Sequence, residues 1–296
     1  MDSLKLWFAA TRPFSFTASI VPIVVGTIFA AQHEFSWWTA VLALVGGVAI
    51  HAGTNLVNDY YDHVKGADNE ESLGPAGFIQ RGVLQPRHVL LAGVLAFALG
   101  SGIGLVLVAT TDFELFWLGL ASVIAGFLYT GAPAHLAYIA LGEVTVFIFM
   151  GPVMVMGAYF VQTETWSGDA FVLSLPIAFL VTAILQANNL RDIDNDRAVG
   201  KRTLATLIGR KGANWEMYIL LAGAYVSLGA GILAGAIPWP AVAALATAPL
   251  ALPIVRVVSR GGSPRRLNMA LFRTAQLHMR FGAVMAVGLG AWLVID

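Results

Sequence analysis

"WWTAVLALVGGVAIHAGTNLVNDYYDHVKGAD", residues 37 to 68, begins as an uncharged apolar run and ends in three aspartates and a lysine. The apolar part approaches the roughly 20 residues that carry a helix across a hydrocarbon core about 30 Å thick. The acidic part keeps a helical spacing: Asn55, Asp59 and Asp62 fall at i, i+4 and i+7, on one face of a helix. One continuous helix is therefore expected to run out of the bilayer with its acids on one side. That expectation sets the fold class as all-α and membrane-embedded.

The rest of the chain agrees. Of its 296 residues 58% are hydrophobic and 11% charged, against about 25% charged in a soluble domain. Nine segments read as spans: Phe14 to Ala31, Trp37 to Val57, Val89 to Thr110, Phe113 to Thr130, Tyr138 to Phe160, Phe171 to Leu190, Trp215 to Ala236, Trp239 to Val258 and His278 to Ile295. The first is expected to be a retained span, because "MDSLKLWFAATRPFSF" has neither the basic region nor the small-residue cleavage site of a signal peptide. No soluble domain is visible, and residues 1–296 read as one domain in the lipid bilayer. Cysteine is absent, which excludes disulfides, thiolate metal sites, iron–sulfur clusters and thiol nucleophiles.

Basic residues set the expected orientation. Lys5 and Arg12 precede span one. Lys65, Arg81 and Arg87 follow span two, Arg191 to Lys211 follow span six, and Arg256 to Arg280 follow span eight. Together these account for all 17 Lys and Arg. The opposite connections, "QHEFS", "TD", "QTETWSGD" and "IPWP", hold none. Because Lys and Arg stay cytoplasmic, the expected N-terminus is inside, at the cytoplasmic membrane, and the C-terminus outside. The long polar loops after spans two, six and eight then place the chemistry on the cytoplasmic face. Their basic residues read as a topology signal, so no nucleic-acid partner is expected.

A second acidic stretch, "NNLRDIDNDRAVGKR" (188–202), repeats the first: Asn188, Asp192 and Asp196 fall at i, i+4 and i+8, again where an even-numbered span meets the cytoplasm. Four spans separate the motifs, which suggests duplication of a four-helix unit with a ninth helix added. Carboxylates one turn apart repel and are costly at a membrane boundary. A hard divalent cation neutralises them most simply, and Mg²⁺ suits oxygen ligands completed by substrate phosphates. Two such pairs with Lys65 and Lys201 nearby describe a diphosphate cradle. Asp194 points about 200° away from Asp192 and is assigned either to structure or to support behind the metal ligands. The run "DIDNDR" opens like a calcium loop, but Arg197 and Thr203 stand where that loop needs Gly and Glu. Three other readings compete: exposed helix caps, a secondary transporter broken at Pro22, Pro152, Pro176 and Pro249, and a lipid phosphoalcohol transferase. A transporter's ion site lies near the bilayer midplane, whereas these acids lie at the boundary. The transferase's Asp-Gly followed by Ala-Arg pattern is absent from both stretches.

Taken together, "RPFSF", "NLVNDYYDHVKGAD", "QRGVL", "YTGAP", "LGEV" and "NNLRDIDNDRAVGKRTLATLIG" resemble the UbiA superfamily of intramembrane aromatic prenyltransferases. The resemblance implies a nine-helix bundle around a central cavity that opens to lipid and is capped by cytoplasmic loops. It also implies a polyprenyl diphosphate donor and an aromatic acid acceptor. On that resemblance Asp59, Asp62, Asp192 and Asp196 hold Mg²⁺ on the diphosphate, Asn55, Asn58 and Asn188 add amide groups, and Lys65, Lys201 and Arg81 neutralise phosphate oxygens. The stretches "NDYYDHVKGAD", "LGEV" and "NNLRDIDNDRAVGKRTL" are similar to the branch that prenylates 1,4-dihydroxy-2-naphthoate with loss of CO₂ in menaquinone biosynthesis. Another acceptor such as 4-hydroxybenzoate is the alternative. "AHLAYIA" (134–140) departs from the Gly- and Tyr-rich stretch of that branch. Two residues keep two readings each. Tyr129 is either a diphosphate or cation contact or an interfacial anchor. Glu143, read as the one acid inside a span, either orients the acceptor or makes a packing hydrogen bond. His51 reads as a satisfied interior histidine.

Overall fold

The computed structural model describes residues 3–67 and 77–295, and the described residues are helical apart from turns and one isolated bridge between Ile139 and Arg202. Asp68, which ends the first acidic stretch, and Asp296 lie outside them. Helix α1 (Ser3–Ala10) and a 3₁₀ turn (Pro13–Ser15) lead into α2 (Thr17–Ala30). There follow α3 (Trp37–Val64), α4 (Pro86–Thr110) and α5 (Glu114–Leu128). Next, α6 (Gly142–Ile148) passes through a π turn (Phe149–Val153) into α7 (Met154–Thr163). Then come α8 (Gly168–Ala198) and α9 (Leu204–Leu233), a 3₁₀ stretch (Trp239–Ala251) running into α10 (Leu252–Arg260), and α11 (Pro264–Ile295).

Among the described residues, eight of these stretches are long and apolar enough to cross a membrane, and α5, with 15 residues, is the short ninth. The expected spans recur in order as eight full-length stretches and the shorter α5, and the chain is a multi-span membrane protein. Several helices outrun the bilayer. At about 1.5 Å per residue, the 31 residues of α8 extend roughly 46 Å and the 28 of α3 roughly 42 Å, so neither ends where its hydrophobic run ends.

Local chemistry fixes the helix starts. The Ser167 side chain accepts from Ala170 N at 3.2 Å at the start of α8. Thr203 and Thr206 form a reciprocal capping box at the start of α9. Pro22 and Pro176 sit inside helices that continue past them. Pro152 instead lies in the π turn, where Gly151 packs so closely that an added Cβ would stand 2.3 Å from Ala178 Cβ on α8. Helix α9 breaks at Gly209 (φ 70°, ψ 172°), a conformation that glycine adopts without strain.

Packing repeats in the two halves: α3 packs along α4 as α8 packs along α9. The main apolar core gathers on α8, with Leu173, Ile177 and Leu180 fully buried against residues of α2, α9 and α11. Polar contacts mark two opposite ends of the bundle. At one, Gln162 accepts from Ser36 N at 2.7 Å, and Trp166 Nε1 donates to Glu114 at 2.6 Å. At the other, Asn195 donates to the Ala67 carbonyl at 2.6 Å, and Ala140 N donates to the Arg202 carbonyl at 2.7 Å. Both acidic motifs lie at this second end.

Candidate active site

A cavity of about 480 Å³ opens between α3 and α8 at the acidic end. Asn58 and Asp62 on α3 and Asn188, Asp192 and Asp196 on α8 line it, with Lys201 from the loop beyond. Its deeper wall is largely apolar: Ile50, Phe149, Met150, Met154, Val181 and Ile184. Ile50 precedes Asp62 by about 12 residues on the same helix, so the apolar part reaches roughly 18 Å below the acids at about 1.5 Å per residue. A charged mouth above an elongated, mostly apolar pocket suits a ligand with an anionic head and a hydrocarbon tail.

The acids of the first motif are held from several directions. Asp62 accepts from Asn58 Nδ2 at 2.8 Å and from Tyr138 Oη at 2.6 Å. Asp59, buried just behind, pairs with the Arg12 guanidinium. Arg12 stands in a left-handed turn (φ 58°), and its carbonyl accepts from Ser15 Oγ at 2.8 Å. Asn55 Nδ2 donates to the Thr11 carbonyl at 3.0 Å and to Ser15 Oγ at 3.1 Å, which ties the "RPFSF" turn to α3. His51 is satisfied as expected: Nδ1 lies 2.7 Å from Ser19 Oγ and Nε2 3.3 Å from Ser15 Oγ.

The second motif is organised by Arg191, which is 4% exposed. Its guanidinium forks onto Asp192 and donates to Asn188 Oδ1 and Asn268 Oδ1, each at 2.8 Å. Asp196 lies 3.5 Å from Lys201 Nζ. Lys65 Nζ stands 4.1 Å and Lys201 Nζ 5.1 Å from the Tyr138 ring centroid. Burial lowers the Lys65 ammonium below its usual value; Asp62 opposes that shift and Lys201 adds to it.

Among the described residues no three carboxylate or imidazole groups converge as a preformed metal cage. The acids lean instead toward neighbouring cations: Asp59 to Arg12, Asp192 to Arg191 and Asp196 to Lys201. A hard divalent ion nevertheless fits the donor set, which is all oxygen. Asp196 is 3% exposed, and its Oδ2 is buried without a hydrogen-bond partner, a costly state for a carboxylate oxygen that a cation relieves.

The remaining expected residues divide. Tyr129 lines the cavity. Glu143 is buried and accepts from Asn189 Nδ2 at 2.7 Å, reaching the cavity through that amide. Arg81 is not brought to the cavity: Nε donates to the Gly77 carbonyl at 3.0 Å, and the guanidinium lies 5.1 Å from the Phe78 ring centroid. Asp194, turned away from Asp192 by its helical position, also lines the mouth of the cavity, where it is exposed and paired with Arg210 at 3.0 Å. One expectation needs correction. Glu143 is not the one acid within a span. Glu216 lies inside the seventh, with Oε2 buried and unpartnered, and Glu114 lies at the edge of the fourth. Sequence reasoning missed Arg12, Arg191 and Tyr138 as site residues. From sequence the two arginines read only as topology charges, and Tyr138 sits in the divergent "AHLAYIA".

Comparison with known proteins places the arrangement. The family model described as the UbiA prenyltransferase family matches residues 19–278. The 1,4-dihydroxy-2-naphthoate octaprenyltransferase of Bacillus subtilis (strain 168) is 35% identical over 286 residues, covering 96% of this chain and 91% of its own. Among solved structures, the fold matches an apo UbiA homologue from Aeropyrum pernix K1 with TM-score 0.73 at 17% identity, covering 93% of this chain and 98% of that one. It also matches a UbiA homologue from Archaeoglobus fulgidus bound to DMAPP and Mg²⁺, with TM-score 0.61 at 18% identity, covering 95% and 99%.

Proposed function

We propose, from the premise that this chain belongs to the UbiA prenyltransferase family, that it transfers a polyprenyl group from a polyprenyl diphosphate to 1,4-dihydroxy-2-naphthoate. CO₂ is lost and the quinol form of demethylmenaquinone, a menaquinone precursor, is formed. The observation that carries this reading is the joining of both aspartate motifs, from opposite halves of the chain, at the mouth of one apolar cavity. The naphthoate prenyltransferase of Bacillus subtilis, similar over nearly the whole chain, supports the choice of acceptor.

Asp59, Asp62, Asp192 and Asp196 are the residues that would hold Mg²⁺, with Asn55, Asn58 and Asn188 holding neighbouring groups in place. When bound, the ion would neutralise charge on the departing diphosphate. The protein's own cations act in the same direction. Lys201 lines the mouth and Lys65 stands beside it at the Tyr138 ring, and negative charge grows on the phosphate oxygens as the allylic C–O bond breaks. Arg12 and Arg191, now paired with Asp59 and Asp192, take the position given from sequence to Arg81. Below them the apolar wall excludes water, which would otherwise capture the allylic cation. The electron-rich naphthalene ring attacks at its carboxylate-bearing carbon. Loss of CO₂ then restores aromaticity, so no strong base is required. We place the site on the cytoplasmic face of the inner membrane.

Carboxyl-labelled 1,4-dihydroxy-2-naphthoate, supplied with Mg²⁺ and a polyprenyl diphosphate to the purified protein, should release its label as CO₂ in step with prenylated product. 4-Hydroxybenzoate should react poorly. Label retained in the product, or consumption of 4-hydroxybenzoate alone, would sink the acceptor assignment.

A further inference from the structure

The stretch "AHLAYIA" departs from the family's pattern, and the reaction above leaves it without a task. It is stitched to the second motif's loop: Ala140 N donates to the Arg202 carbonyl at 2.7 Å, Arg202 N donates to the Tyr138 carbonyl at 3.2 Å, and Ile139 bridges Arg202. Left-handed backbone at His135 (φ 48°) and Ala140 (φ 59°) folds the stretch back on itself. Tyr138 thereby reaches the first motif, where its hydroxyl donates to Asp62 Oδ1 at 2.6 Å. Its ring lies 4.1 Å from Lys65 Nζ and 5.1 Å from Lys201 Nζ. Lys65 belongs to the first motif and Lys201 to the second. Two ammonium groups this close repel one another, and the electron-rich ring offsets that repulsion.

We propose that Tyr138 is a positioning residue that sets the register between the two halves of the diphosphate site, its hydroxyl fixing Asp62 and its ring holding Lys65 and Lys201 at the mouth. The inference rests on the reading of that mouth as a diphosphate site. The motifs come from opposite halves of the chain, so no local spacing fixes one against the other; Asn195 joins them through the Ala67 carbonyl, and the Tyr138 side chain touches charged groups of both. Hydrogen-bond partners of a ligating carboxylate typically change metal affinity by about 10- to 100-fold. Fixed cations help a leaving group only if they stand in place before it departs.

The test uses the full chain in lipid nanodiscs as wild type, Tyr138→Phe and Tyr138→Leu. Calorimetry would follow binding of Mg²⁺ with inorganic diphosphate, and KM would be measured for both substrates. Tyr138→Leu should weaken diphosphate binding at saturating Mg²⁺ by roughly 10-fold or more and raise KM for the prenyl diphosphate in step. KM for the aromatic acceptor should stay within about 2-fold, since the polar and charged groups that Tyr138 touches are those assigned to the metal and diphosphate. Tyr138→Phe retains the ring. It should bind diphosphate nearly as the wild type does but need about 10-fold more Mg²⁺ for half-saturation. Unchanged diphosphate affinity in a folded Tyr138→Leu protein, or a shift confined to the acceptor, would overturn the proposal. If Tyr138→Leu does not fold, an unchanged Mg²⁺ requirement in Tyr138→Phe overturns it. Absence of Mg²⁺-dependent diphosphate binding in the wild type overturns the diphosphate site itself, which separates the two failures.

Discussion

Asp62, Asp192 and Asp196 line the mouth of the cavity and Asp59 lies buried just behind it, and a different partner set holds each of the four. Removing any of them is expected to lower turnover by more than about 100-fold while leaving an extractable protein, because each supplies charge that the bound metal needs. Asp59→Ala, Asp62→Ala, Asp192→Ala and Asp196→Ala should behave alike, and EDTA should silence the wild type. Asp194→Ala should cost less than about 3-fold, since its partner Arg210 makes an exposed pair. Equal loss at Asp194 would refute the division of the acids by helical face. Arg191→Ala is expected to act on stability as well as turnover. One buried guanidinium serves Asn188, Asp192 and Asn268, and stranding those groups should cost about 2 kcal/mol, seen as earlier unfolding in denaturant. The acids were legible in the sequence because helical spacing is local. Arg12 and Tyr138 were not, because they reach Asp59 and Asp62 from 47 and 76 positions away, and no periodicity in the sequence reports such a contact.

At the level of the element, hydropathy located the spans but not their ends, since α3 and α8 continue as polar helix beyond the apolar run. Nor could it separate the 3₁₀ stretch Trp239–Ala251 from an α-helix, because an apolar segment in lipid has no polar face to display a period. The π turn Phe149–Val153 was equally hidden. Pro152 announced a disturbance, but the outcome depended on Gly151 lying against Ala178 on α8. That contact makes a sharp prediction. Gly151→Leu should destabilise the bundle by about 1–3 kcal/mol or more through overpacking, and it should also disturb the cavity wall formed by the neighbouring Phe149 and Met150. Gly102→Leu on α4, where an added Cβ meets nothing within 4 Å, is the matched control and should be close to neutral in denaturant unfolding. Equal destabilisation by the two would show that the loss reflects added bulk anywhere in the chain rather than at this contact.

For the whole molecule the decisive quantity is the number of crossings, and α5 is the weakest link in it. Its 15 residues span only about 22 Å at about 1.5 Å per residue, short of a hydrocarbon core about 30 Å thick. If α5 dipped into the bilayer and returned, every later loop would change sides, and the basic residues after spans six and eight would face outward against the positive-inside bias. The contacts at its two ends argue otherwise. Glu114, at its start, accepts from Trp166 at the end of the bundle where Gln162 meets Ser36. Tyr129, just past its other end, accepts through its carbonyl from Ala137 N, beside the Tyr138 that bonds Asp62. Helix α5 therefore runs from one end of the bundle to the other. The chain has no cysteine, so single cysteines at exposed positions report sidedness directly. In intact cells a membrane-impermeant maleimide should label Asp112→Cys and Glu164→Cys. Arg81→Cys and Arg197→Cys should be labelled only after permeabilisation. A reporter fused at the C-terminus should be active only outside. Labelling of Arg197→Cys in intact cells, with Arg81→Cys still protected, would mean that one crossing between them had been miscounted. It would also put the two aspartate motifs on opposite faces of the membrane, where they could not share one diphosphate.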